Sequence, residues 1–165
     1  SSGRLQTDAC LTRLARKGAS EARVRESRSR RYRARTFVHL VWSTWRREPM
    51  ISPTCRRVVY RSIADQAVKL GCRVLALGGT HDHVHLVVWF PPTLALSDLV
   101  RRAKGASAYC ANTADPNDGT LRWQGGYGAI TLSATQLEAV TRYVKRQAEH
   151  HATGRLSDSL ETVPT

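Results

Sequence analysis

His83-Val84-His85-Leu86-Val87-Val88-Trp89-Phe90 is the stretch that decides the fold. It is dense in β-branched and aromatic residues, it follows Gly78-Gly79, and Pro91-Pro92 ends it. That pattern reads as a strand. On a strand, side chains at i and i+2 leave the same face. His83 and His85 therefore project together, while Val84 turns into a core. Two imidazoles held in parallel on a rigid strand are half of a metal site.

Working outward, Thr36 to Thr44 (TFVHLVWST) reads as a largely buried first strand. Ser52-Pro53 opens a helix, with serine as N-cap and proline in the first turn. Val58, Val59, Ile63, Ala67 and Leu70 carry its period, and Gly71 stops it. Arg73 to Leu77 is a second strand, broken by Gly78-Gly79. After the histidine strand, Ser97 caps a second helix that runs to about Ala111. Asn112 to Gly119 reads as a polar loop, and Gly126 to Leu132 as a short fourth strand. Ser133 with Gln136 forms a capping box at the start of a last helix reaching about His151. The order β-α-β-β-α-β-α predicts an α+β, ferredoxin-like split βαβ with a four-stranded antiparallel sheet. Helices should cover one face and leave the other free for a ligand, with one extra C-terminal helix.

The chain has 165 residues, room for one domain with a real core. Its formal charge of +13 and pI near 10.6 point to a polyanionic partner, nucleic acid ahead of membrane. No apolar run approaches a membrane span, and no secretory h-region follows the basic start. The chain begins at Ser1 rather than Met, as a trimmed or partial chain would. Cys10, Cys55, Cys72 and Cys110 are scattered and read as reduced thiols of a cytosolic protein. Residues 1–35, rich in arginine and serine, cannot bury enough surface to order themselves. They read as a basic arm that tracks phosphates, or as a solvated tail. Residues 36–152 form the domain, and 153–165 a tail.

The downstream chemistry lies in the last helix. Tyr143 and Gln147 are four apart and share a face. Tyr143 sits at the edge of an apolar stripe of Leu137, Val140, Val144 and Ala148. A phenol is a poor nucleophile at neutral pH unless a cation activates the phosphate it attacks. A histidine pair, a tyrosine and a glutamine amide together suggest a metal-assisted phosphodiester transferase. His81 falls on the same face as the pair in a regular strand, so a three-histidine zinc site is an alternative. The two glycines before it argue for an irregular lead-in that removes His81 from the set.

Five segments carry a family resemblance: HLVWSTWRR (His39 to Arg47), DHVHLVV (Asp82 to Val88), LSDLVRRAKG (Leu96 to Gly105), WQGGYGA (Trp123 to Ala129) and YVKRQAEHH (Tyr143 to His151). In this the chain resembles the single-tyrosine HUH transposases of the insertion-sequence 200/605 group, REP-associated tyrosine transposases included. The resemblance implies that His83, His85 and Gln147 hold a divalent metal, magnesium or manganese, and that Tyr143 is the nucleophile. It implies cleavage and rejoining of single-stranded DNA, hairpin-bearing ends as the substrate, and a homodimer with the tyrosine acting in trans. It assigns no role to His81, His150 or His151. Two other readings stay open: a non-catalytic ferredoxin-like module that binds single-stranded nucleic acid, and a domesticated nuclease acting at genomic repeats.

Overall fold

A computed structural model describes residues 36–114 and 120–146. The elements follow in the expected order: β1 Thr36–Ser43, α1 Pro53–Lys69, β2 Arg73–Gly79, β3 His83–Phe90, α2 Leu96–Ala114, β4 Gly128–Leu132 and α3 Ala134–Lys145. A 3-10 turn, Trp45–Arg47, follows β1. All strand pairs are antiparallel and the sheet order is β2-β3-β1-β4, so β1 and β3 are central. This is the ferredoxin-like α+β arrangement.

The alternation of each strand sorts its side chains. Val38, Leu40 and Trp42 of β1 and Val84, Leu86 and Val88 of β3 form one apolar cluster with residues of α1 and α2. Val59, Ile63, Leu99 and Ala103 supply the helical side of it. Ser52 caps α1, its Oγ accepting from the Cys55 amide at 3.1 Å, and Pro53 occupies the first turn. Cys55, Cys72 and Cys110 are free and buried, and burial pushes the Cys72 thiol up to about 12. Cys10 lies outside the described residues. Among the described residues, no helix is long and apolar enough to cross a membrane.

The opposite face is not left free. α3 lies across it, and Val140 and Val144 pack with Ala76, Val87 and Leu132. The expected capping box at Ser133 and Gln136 is present and sets where α3 starts. The apolar patch on β2 and β3 then takes the valine stripe, because neither surface can stay in water cheaply.

Three boundaries differ from the expected ones for tertiary reasons. β2 runs on through Gly78 and Gly79, which pair with His85 and Val84. A Cβ at Gly78 would collide with the Val144 carbonyl, so this glycine admits α3 rather than ending the strand. α2 begins at Leu96, ahead of Ser97, and continues through Asn112 to Ala114. The Asn112 amide binds the Leu121 backbone twice, at 2.7 and 3.2 Å, which holds it in the helix. β4 starts at Gly128, two residues late, because the Gly126 carbonyl accepts from Lys104 Nζ at 2.6 Å instead of joining the ladder.

Candidate active site

His83 and His85 open β3 on the face that α3 covers. Both are fully buried, with ring centroids 4.9 Å apart and planes at 80°. Thr80 and Asp82 fix the first ring: His83 Nδ1 lies 2.7 Å from Asp82 Oδ1 and 3.0 Å from Thr80 Oγ1. Burial tends to raise the Asp82 pKa. Hydrogen bonds from His83 and Thr80, the charge of His83 and a bond from Arg47 outweigh it and hold the carboxyl well below the usual range. An ionised carboxylate only accepts, so His83 Nδ1 carries the hydrogen and donates. In the neutral ring Nε2 then keeps its lone pair. Arg47 Nε donates to the other Asp82 oxygen at 3.3 Å.

His85 Nδ1 meets His39 Nε2 at 2.9 Å. His39 is on β1, where it pairs with Val87, one step diagonal to His85 on the same face. It is fully buried. Sequence reasoning gives it no role. The available signal was an imidazole inside a strand of otherwise apolar and hydroxyl residues, and its meaning depends on a register that the sequence alone does not reveal.

Tyr143 comes from α3. Its ring stands edge-on to His85 within the same chain, centroids 6.4 Å apart and planes at 86°. It is half-buried and packs beside the Val140–Val144 cluster. The structure thus brings together His83, His85 and Tyr143. Gln147, His150 and His151 lie outside the described residues. His81 is exposed in the bend before β3, apart in burial from the pair. Among the described residues, no group of three or more His, Cys, Asp or Glu side chains could hold a metal, so the three-histidine zinc reading finds no support there. Two imidazoles fit a divalent transition ion, and magnesium or manganese would need oxygen donors to complete the shell.

A basic rim adjoins the pair. Ser43, the last residue of β1, pairs with His83, and the Trp45 turn follows at once. The guanidiniums of Arg46 and Arg122 lie 5.8 and 5.1 Å from the Trp45 ring centre. Arg46 and Arg47 both take left-handed backbone conformations, φ 52° and 57°, which are costly for non-glycine residues. All three arginines are exposed. Lys104 ties down the neighbouring strip, its Nζ donating to the Gln124, Gly125 and Gly126 carbonyls. Burial brings its pKa down to about 8.

The IS200-like transposase family matches residues 33–147. The ISDra2 transposase TnpA of Deinococcus radiodurans is 28% identical over 115 residues, covering 66% of this chain and 81% of that protein. A crystal structure described as a transposase from Deinococcus radiodurans R1 superposes with a TM-score of 0.56 at 26% identity, over 70% of this chain and 93% of that one. A REP-associated tyrosine transposase bound to a REP hairpin shares the fold, with a TM-score of 0.57 at 13% identity, over 73% and 71% of the two chains. The chain belongs to the IS200-like transposase family.

Proposed function

We propose that this transposase cleaves and rejoins single-stranded DNA through a covalent 5′-phosphotyrosine on Tyr143. The observation that carries this reading is the Tyr143 ring set against His85, the second histidine of the strand pair. Tyr143 Oη attacks the scissile phosphorus in line and loses its proton; the P–O3′ bond breaks and the 3′ oxygen leaves as a hydroxyl. A 3′-hydroxyl then attacks the phosphotyrosine and releases the phenol. Bond energy is kept in the ester, so no nucleotide cofactor is required. His83 and His85 would hold a divalent magnesium or manganese ion, with Gln147 as the third ligand that the resemblance assigns. When bound, the ion supplies a positive charge that makes phosphorus more electrophilic and steadies the developing oxyanion. Asp82 and Thr80 keep the His83 ring oriented, and the arginines around Trp45 receive backbone phosphates.

The DNA partner is a hairpin-bearing end or repeat, which the REP-hairpin complex of the structural relative supports. The homodimer implied by the resemblance is also proposed, but the within-chain contact supports a site completed in cis. The test is incubation with single-stranded hairpin DNA and Mn2+, followed by a denaturing gel. Wild type forms a protein–DNA adduct; Tyr143→Phe, which lacks only the nucleophilic oxygen, loses it by about a thousandfold or more. An adduct that persists in Tyr143→Phe sinks the assignment. Binding without any adduct in wild type favours the non-catalytic module. Mixing His83→Ala with Tyr143→Phe chains, once mixed dimers are shown, restores no cleavage if the tyrosine works in cis.

A further inference from the structure

We infer that His39 is a positioning residue that fixes the tautomer of His85, and with it the nitrogen that His85 can offer to a cation. The inference deepens the metal reading above and rests on it. The His39 and His85 rings are parallel to within 4°, with centroids 5.1 Å apart. The 2.9 Å contact between His39 Nε2 and His85 Nδ1, extended by the two ring radii, accounts for that whole separation. The rings therefore meet edge to edge in one plane, as in a linear N–H···N bond, and are not stacked face to face.

One hydrogen occupies that bond, and its owner decides the chemistry. If His39 donated, His85 Nδ1 would spend its lone pair as acceptor and the neutral ring would carry its hydrogen on Nε2. Neither nitrogen could then bind a cation. If His85 Nδ1 donates, Nε2 keeps its lone pair. Asp82 already imposes this second state on His83. The two rings can share an ion only when both are in it, so His39 must accept at Nε2. The hydrogen bond also gives His39 a reason to be there. It is fully buried at a position where a valine or leucine would cost nothing to desolvate. An acidic acceptor in its place would bury a charge and add to the one Asp82 brings; imidazole accepts without one.

The experiment uses the full chain, metal-free and labelled with 15N-histidine, and two variants. His39→Leu fills the space without an acceptor; His39→Gln retains an acceptor oxygen. Nitrogen shifts and two-bond couplings report the tautomer, and the electron spin resonance of free Mn2+ reports affinity. Wild type and His39→Gln should show His85 with its hydrogen on Nδ1. His39→Leu should move it to Nε2 and weaken Mn2+ binding about 10–100-fold, with His39→Gln within a few-fold of wild type. A wild-type His85 protonated on Nε2 overturns the proposal, and so does an unchanged tautomer in His39→Leu. Should the leucine variant not fold, the wild-type and glutamine spectra decide alone. His83→Ala separates the two layers of inference. If it leaves Mn2+ affinity unchanged, the metal reading fails and takes the purpose of His39 with it. If it weakens binding while His39→Leu does not, only the His39 assignment fails.

Discussion

On the face toward α1 and α2, strands β1 and β3 present Val38, Leu40, Trp42, Val84, Leu86 and Val88, all buried in one apolar cluster. On the opposite face the same strands, one residue out of step, present His39, His83 and His85, also fully buried. Burial is equal on the two faces, yet its physical meaning is opposite. Leucine and valine gain roughly 1.5–3 kcal/mol each by leaving water, whereas an imidazole loses solvation that hydrogen bonds must replace. Asp82, Thr80 and His39 supply those bonds. The face toward α1 and α2 is thus apolar along both central strands, whereas the face under α3 sets a buried imidazole cluster beside a smaller apolar one.

Substitutions at adjacent residues of β3 should separate the two. His85→Ala removes a proposed metal ligand and is expected to lower adduct formation by about a thousandfold or more. Leu86→Ala, one residue on, should cost about 2–5 kcal/mol of unfolding free energy through lost transfer energy and a cavity. At a temperature where Leu86→Ala is still folded, its activity per folded molecule should stay near wild type. Thermal melts and single-turnover gels on both variants check this. If Leu86→Ala lost chemistry as completely as His85→Ala while folded, the division of labour between faces would be wrong.

The next effect sits where the faces meet through α3. Gly78 pairs with His85 and lies under the Val144 backbone, one residue from Tyr143. A methyl group there has to push α3 off the sheet. Gly78→Ala should lower the adduct rate about a hundredfold, since displacements near an ångström cost that much. Its melting temperature should fall far less in proportion, because the main core lies on the other face. Rescue by a small residue at 144, such as Val144→Ala, is not expected, since the obstruction is backbone carbonyl rather than side chain.

Much of this was legible in the sequence, and the exceptions share a cause. The bounds of β3 and the capping box of α3 are local facts, written in side-chain chemistry within a few residues. Tyr143 could be placed on its helix face because helical period is also local. Gly78, Asn112 and Gly126 defeat a local reading because each serves a partner in another segment: Val144, Leu121 and Lys104. A glycine that admits a helix looks, in sequence, like a glycine that ends a strand. His39 is the same case: only the β1–β3 register places it diagonal to His85.

The smallest effect expected belongs to the basic rim. Arg122 lies over Trp45 at the end of the sheet where His83 begins β3. Arg57 is also exposed but belongs to α1, on the apolar face. Replacing either by alanine removes one charge, so a purely global attraction between a +13 chain and DNA would weaken equally in both. A defined phosphate contact behaves differently. The logarithm of affinity falls with the logarithm of salt in proportion to the phosphates neutralised, about 0.7 per contact for single strands. Arg122→Ala should therefore flatten that slope by close to one contact, with a few-fold loss of affinity at low salt. Arg57→Ala should leave the slope as it was. Filter binding of single-stranded hairpin DNA across a salt series measures both. Equal slopes in the two variants would mean that the rim attracts DNA only as part of the whole charge; a flatter slope in Arg57→Ala alone would place the DNA on the helix-covered apolar face and reverse the comparison.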